Sequence, residues 1–340
     1  MLFYYNYISI KTGVNVTLIL NRKDVISILE MKDCITAVES AFREMANGTA
    51  VLPLRTGIKP PDGISLYMPA YLKEMGALGC KIVTVYKNNP SKFNLPTIFG
   101  KVLIQNPETG DVVCIMDGGY LTAVRTGAAS GVAAKFLARD EKNMTAGIFG
   151  AGVQAKTQLW AVCSVRDITK AFIYDISDEA VEKFISEMKQ KLNIEISKAK
   201  SPAELLETDI ICTATTCAKP LFDGTKLKNG THINGVGSHS PDARELDTET
   251  IRRSKFVGDS MEACFNEAGD IMIPVKENAI TKEHFYAEIG EIITDRKKGR
   301  LNNEEITLFK SNGLAIQDVA TGKLVYEKAL KAGIGKQVEI

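Results

Sequence analysis

Several stretches of this chain carry residue types able to do chemistry, and the most organised is Thr145-Ala-Gly-Ile-Phe-Gly150-Ala151-Gly152-Val153-Gln154-Ala155. It has the pattern G-x-G-x-x-A between an apolar run and a helix start. In such a turn Gly150 permits the tight reversal and Gly152, lacking a Cβ, lets a pyrophosphate reach the backbone. Ala155 lets the helix pack closely on the strand. Unpaired N–H groups and the dipole at the helix N-terminus favour the phosphates. The next apolar run, Ala171-Phe-Ile-Tyr174, ends in Asp175. A carboxylate there accepts bonds from both ribose hydroxyls and repels a 2′-phosphate, so NAD(H) is expected ahead of NADP(H). The alternative for Asp175 is a surface turn.

Two later strand ends have the same character. Thr213-Ala-Thr215-Thr216 offers hydroxyls and Ile233-Asn-Gly-Val236-Gly237 offers glycines. In an open α/β sheet such carboxyl ends line the ligand crevice, although plain turn chemistry would use the same residues. His239 follows the second of them as a candidate acid with an ordinary pKa near neutrality, or as a turn residue.

Cations come earlier in the chain. Lys81 lies inside the apolar run Gly79-Cys-Lys-Ile-Val83, where a charge must be paired or face a cavity. Arg125 sits in Leu121-Thr-Ala-Val-Arg-Thr-Gly-Ala-Ala129 among small residues, and Arg55 follows Pro53-Leu54. Such a set suits a small substrate carboxylate, with Arg gripping it bidentately and Lys acting as a point charge or proton donor. The competing reading is that all three snorkel to solvent.

The elements that must position these residues follow from periodicity. Val16–Leu20 reads as a strand, with Asn21 and Asp33 as helix N-caps. The apolar positions Ile35, Val38, Ala41, Phe42 and Met45 keep helical spacing as far as Asn47. A proline-containing loop spans Val51–Gly63. Ile64–Met68, Gly79–Tyr86, Ile98–Asn106 and Val112–Met116 read as strands of a mostly antiparallel sheet, with a hairpin turn at Asn106–Gly110. Leu121–Arg139 reads as a helix. From Thr145 strands alternate with helices through Ala146–Phe149, Ala171–Tyr174, Ile210–Ala214, His232–Val236 and Lys255–Gly258, which predicts a parallel sheet with crossover helices. The amphipathic helix before Ala332 is expected to pack back on an earlier part of the chain.

Composition limits the classes. The chain has 340 residues, 45% hydrophobic and 24% charged, as a soluble protein with a full core does. Its net charge of +1 gives no basic footprint, so neither nucleic-acid nor membrane partners are implied. Seven scattered cysteines without a Cys-x-x-Cys pair read as free thiols of a cytoplasmic protein, and three isolated histidines make no metal site. Met1–Leu20 is apolar, but Lys11 interrupts it and no basic cluster or cleavage site accompanies it, which disfavours a signal peptide or span. Residues before Val14 are expected to be a poorly ordered extension.

Taken in order, these stretches resemble the ornithine cyclodeaminase/mu-crystallin family, which also holds archaeal alanine dehydrogenases and cyclic-imine reductases. The matching residues are Tyr67-Met-Pro-Ala70, Lys81-Ile-Val83, Leu95-Pro-Thr97, Asp117, Leu121–Ala129, Gly150–Gln154, Gly230–Gly237, Arg244-Glu-Leu-Asp247, Glu288–Glu291 and Thr307–Gly313. The resemblance implies an α/β fold: a Rossmann-type doubly wound parallel sheet over 131–314, plus an α+β dimerisation and substrate domain from 1–130 and 315–340. It implies a homodimer. It implies that Arg55, Lys81 and Arg125 hold the substrate carboxylate, with Arg125 near the cofactor too. Thr97, Ala151, Gly152, Val153, Gln154, Asp175, Thr215 and Ser311 match positions that contact the dinucleotide.

Two positions depart from the cyclodeaminase pattern. Leu66 stands where those enzymes look to have a glutamate, and His239 where they and the alanine dehydrogenases carry an aspartate for the substrate amine. The reading is therefore an NAD(P)H-dependent oxidoreductase acting on the C–N bond of a small amino or imino acid, as a cyclic imine reductase or an alanine dehydrogenase does. The alternatives are an ornithine cyclodeaminase that recycles its NAD and a non-catalytic binding protein resembling mu-crystallin.

Overall fold

The chain is described by a computed structural model over residues 16–339; the extension expected before Val14 lies outside the described residues. Two compact units emerge, dividing within the Gly118–Leu137 helix after Arg125 and again after Gly313.

The first unit, up to Arg125 and again from Leu314, is an α+β structure. Its sheet runs in the order Lys336–Glu339, Val16–Leu20, Val112–Asp117, Ile98–Gln105, Ala77–Val85, Ile64–Leu72 and Ala50–Val51, with Thr56–Ile58 also paired to Ile64–Leu72. All pairings are antiparallel except that of Val16–Leu20 with Val112–Asp117. The Asn106–Gly110 turn is as its composition suggests: Gly110 takes a positive φ of 78° and the Asn106 side chain accepts from Glu108 N–H at 2.8 Å. Asn21 caps the Arg22–Ile28 helix in a capping box with Asp24. Asp33 is not a cap, contrary to expectation. The helix starts at Met31 and Asp33 lies in its first turn, where the dipole also favours a carboxylate and where it pairs with Lys328.

The Ala315–Ala332 helix packs on the Met31–Asn47 helix and on the central strands of this sheet. It comes close to Ile98–Gln105 because residue 322 is glycine: a Cβ there would meet Ile104 Cδ1 at 2.7 Å and Val102 Cγ1 at 3.0 Å. Lys336–Glu339, Thr56–Ile58 and Ala50–Val51 escaped the sequence reading because all are short edge pieces with no alternating pattern.

The second unit, residues 126–313, is a doubly wound parallel sheet in the order Glu195–Lys198, Ile168–Tyr174, Met144–Phe149, Ile210–Thr213, His232–Gly235, Ile306–Lys310, Ser254–Gly258 and Phe285–Glu288. Alternate residues feed two cores. Ala146, Ile148, Ile210 and Cys212 join Leu159, Val162 and Phe184 on one face, while Phe149, Ile211 and Ile233 join Leu246, Ile251 and Phe256 on the other. Strands apolar on both faces are the mark of a parallel sheet covered by helices. Chain order reverses at Met144–Phe149, whose successors lie on its two sides, so the ligand crevice of such a sheet opens at the carboxyl ends of Met144–Phe149 and Ile210–Thr213. Among the described residues no helix is long and apolar enough to cross a membrane.

Gly322→Val tests the seating of the last helix. The added side chain must displace Ile104 and Val102, and urea unfolding should show a loss of about 1–3 kcal/mol.

Candidate active site

In the first unit Lys81 is central. It lies mid-strand, paired with Met68 and Val102 on the neighbouring strands, and is 2% exposed. It does not reach solvent, so its charge needs a partner. That partner is Asp318, fully buried on the Ala315–Ala332 helix, with Oδ2 2.7 Å from Lys81 Nζ. The other oxygen, Oδ1, accepts from Arg125 Nε at 2.8 Å, and Arg125 Nη1 donates to Gln317 Oε1 at 2.5 Å. Burial above all, with the neighbouring Arg125 charge next, pushes the Lys81 ammonium down to about 8; Asp318 opposes that shift and Arg55 adds to it. The structure thus brings Lys81 and Arg125 onto one carboxylate and places half-buried Arg55 within electrostatic reach of Lys81. Asp318 was missed in the sequence. Its signal was the one that picked out Lys81, a lone charge among small and apolar neighbours, here Ala315-Ile-Gln-Asp-Val-Ala.

In the second unit the glycine loop joins Met144–Phe149 to the Val153–Val165 helix. Gly150 has φ +99°, a conformation that favours glycine, and a Cβ there would lie 2.7 Å from the Ala214 carbonyl oxygen. That close approach ties together the two strand ends at which the sheet reverses. Gly152, the helix N-cap, has open space where a Cβ would point. Val153 begins the helix and is exposed, and Gln154 follows it with its backbone N–H among those that lack an intrahelical partner. Asp175 ends the neighbouring strand. Its Oδ2 accepts from Ala151 N–H at 2.9 Å and its Oδ1 from Ser177 N–H at 3.0 Å. Each oxygen keeps a second lone pair, so both remain able to accept a ribose hydroxyl. The open cradle at Gly152, the free helix N-terminus and the carboxylate beside them fit a dinucleotide.

Glu245 organises the remaining strand ends and was not singled out in the sequence, although it stands in the quoted stretch Arg244–Asp247. Fully buried, it accepts from Thr213 Oγ1 at 2.8 Å, Thr215 N–H at 2.6 Å and Gly237 N–H at 2.8 Å. Burial, with the nearby Asp270 charge, raises its pKa. A Cβ on Gly237 would fall 2.3 Å from the Glu245 carboxylate. That glycine therefore has a local reason, room for Glu245, beside its expected place at the ligand crevice. Val236 is buried next to it. Asp270 in turn accepts from the backbone of Glu245 and Leu246 and lies 3.0 Å from Lys310 Nζ.

Ser311 is turned inward: its Oγ donates to Asp259 Oδ2 at 2.9 Å, and the same oxygen accepts from Asn312 and Gly313 N–H at 2.9 and 2.8 Å. Asn312, beside it, has both side-chain polar atoms buried and unpaired among the described residues, as expected of a group that awaits an amide or hydroxyl. Thr97 belongs to the first unit, at the start of Ile98–Gln105, with its carbonyl accepting from Tyr86 N–H at 2.8 Å. His239 is exposed in the loop after Gly237, and Leu66 sits in the Ile64–Leu72 strand opposite Val83.

With this geometry in place, comparison with known proteins gives the class. A sequence model of the ornithine cyclodeaminase/mu-crystallin family matches residues 15–333, and the chain belongs to that family. A solved structure of Thermococcus litoralis Δ1-pyrroline-2-carboxylate reductase, in complex with NADH and L-proline, is 51% identical, with a TM-score of 0.90 over 95% of this chain and 100% of that one. An archaeal alanine dehydrogenase dimer with bound NAD is 39% identical, with a TM-score of 0.89 over 96% of this chain and 99% of that one. The alanine dehydrogenase of Archaeoglobus fulgidus is 40% identical over 95% of this chain and 98% of its own length.

Removing the Glu245 carboxylate leaves the Thr215 and Gly237 N–H groups unpaired in the interior. Glu245→Ala should lower stability by about 3 kcal/mol in urea unfolding, and a loss below about 0.5 kcal/mol would contradict the role given to it.

Proposed function

We propose that this protein is an NADH-dependent reductase of a small cyclic α-imino acid, with Δ1-pyrroline-2-carboxylate as first candidate and L-proline as its product. The buried Lys81–Asp318–Arg125 cluster carries the reading. It is a positively charged site for one carboxylate, and it contains an amine whose pKa of about 8 suits proton transfer near neutrality. The 51% identity to a protein whose structure holds NADH and L-proline supports the choice of substrate.

Ala151, Gly152, Val153 and Gln154 would hold the pyrophosphate and Asp175 the ribose. Thr213, Thr215, Val236, Gly237, Ser311 and the unpaired Asn312 amide belong to strand ends suited to the rest. Thr97 and Arg125 stand at family contact positions as well. A reduced nicotinamide bound there supplies the hydride. The side chains do the remaining work. Arg125 spends two of its five N–H donors within the protein and offers others, with Arg55, to the substrate carboxylate. Lys81 gives a proton to the imine nitrogen or holds the protonated form in place. His239, exposed on its loop, is the second candidate acid.

The same first unit exposes the large apolar side chains Leu54, Ile58, Phe93, Ile98 and Phe99. With the dimeric alanine dehydrogenase as support, we read these exposed residues as part of the contact of a homodimer. Seven free cysteines fit a reducing cytoplasm.

NADH oxidation should follow addition of Δ1-pyrroline-2-carboxylate, with NADPH at least about tenfold poorer in kcat/KM because of Asp175. Inertness of this substrate, and of pyruvate with ammonia, would sink the proposal. Lys81→Ala should cost at least about a hundredfold in kcat/KM with NADH affinity kept. The wild-type rate should fall as pH rises past about 8, where Lys81 loses its proton. Ile98→Glu should shift the dimer toward monomer in light scattering.

A further inference from the structure

We propose that Asp318 is the positioning residue of the substrate site, acting through Lys81 and Arg125 to set their spacing and to keep the lysine an ammonium. This rests on reading the cations of the first unit as a carboxylate site. No substrate atom need touch Asp318.

The first argument is charge. Lys81 and Arg125, both buried, share the one Asp318 carboxylate, so among the described residues this cluster keeps an excess of positive charge. An ion pair that served packing alone would close to neutrality, because an uncompensated buried charge is destabilising. The excess is what an anionic ligand would cancel.

The second argument is geometry. Asp318 divides its oxygens, Oδ2 to Lys81 Nζ at 2.7 Å and Oδ1 to Arg125 Nε at 2.8 Å. Two cations spanned by one carboxylate stand at a spacing that a second carboxylate can also span. Gln317, the preceding residue on the same helix, takes Arg125 Nη1 at 2.5 Å and so fixes the plane of the guanidinium. Two successive residues of one helix thus orient the fork.

The third argument is protonation. The charged and titratable groups around Lys81 are Asp318 from the Ala315–Ala332 helix, Arg125 from the Gly118–Leu137 helix and Arg55 from the loop before Thr56, with Cys80, its neighbour on the strand, on the opposite face. Cys34 of the Met31–Asn47 helix lies near Arg125 and Asp318, but burial pushes its thiol up to about 12, so it stays neutral. Asp318 alone of these neighbours is a carboxylate that favours the ammonium.

The test replaces Asp318 with Asn and with Glu. The Lys81 amine is titrated by NMR on ¹³Cε-lysine protein, with the signal assigned from Lys81→Arg. Asp318→Asn should move the Lys81 midpoint down by about one pH unit or more, which is a tenfold change in the ionisation constant. The fall of kcat/KM with rising pH should move with it. KM for the imino acid should rise about tenfold at pH 8 while NADH affinity changes less than about twofold. Asp318→Glu keeps the charge and should keep the midpoint, yet raise KM because the carboxylate is displaced by one methylene. If Asp318→Asn does not fold, the Glu variant decides: unchanged KM with it overturns the proposal. An unchanged Lys81 midpoint in folded Asp318→Asn, with wild-type turnover present, also overturns it. A wild-type protein that reduces no imino acid overturns the functional reading instead, and the lysine midpoint still decides whether Asp318 governs Lys81.

Discussion

An ammonium group in the middle of a sheet is almost wholly shielded from water, and taking it there costs several kcal/mol unless a countercharge waits for it. Lys81 imposes that constraint on the whole first unit. The countercharge has to come from a helix lying across the sheet, and a helix that delivers Asp318 must lie close, which is why residue 322 has no side chain. The same carboxylate then captures Arg125. Much of the local structure follows from hiding one charge: the return of the chain over its own first sheet, the small residues on the returning helix, and the burial of Gln317 beside Asp318.

The second unit meets a related problem with the opposite sign. The carboxyl ends of its strands carry backbone N–H groups that turn away from the sheet, and three buried carboxylates receive them. Glu245 takes those at Thr215 and Gly237, Asp270 those at Glu245 and Leu246, and Asp259 those at Asn312 and Gly313. Lys310, 3.0 Å from Asp270, balances part of that charge. These acids pair the backbone N–H groups of the loops at the strand ends. Gly152 has open space where a Cβ would point, and the buried Asn312 amide has no partner among the described residues.

What the sequence made legible was whatever is local. The glycine loop shows itself because a positive φ at Gly150 and the missing Cβ of Gly152 are demands on single residues. The antiparallel strands around Lys81 and the parallel ones after Thr145 announce themselves by period and length. Asp318 and Glu245 are harder to see because their importance lies in partners about 190 to 240 and 8 to 32 residues away, respectively; the apolar neighbours of Asp318 hint at burial, but nothing local names its partners. Ile306–Lys310 was quoted as part of a family motif but not as a strand; only pairing with His232–Gly235 and Ser254–Gly258 makes it one. Asp33 was misplaced for a simpler reason: a carboxylate serves a helix start both as cap and within the first turn, and spacing alone does not separate the two.

That inserted strand has a consequence for biosynthesis. Ile306–Lys310 sits between two strands translated well before it. Until it emerges, His232–Gly235 and Ser254–Gly258 present facing edges with no ladder between them, and unpaired edges invite the wrong neighbour. The first unit waits as well, since Lys81 finds its counterion only when Asp318 has been made. Both units therefore remain unfinished until Lys310 and Asp318 have left the ribosome, and a chain stalled before then would expose an uncompensated lysine and two open strand edges to whatever chaperones attend it.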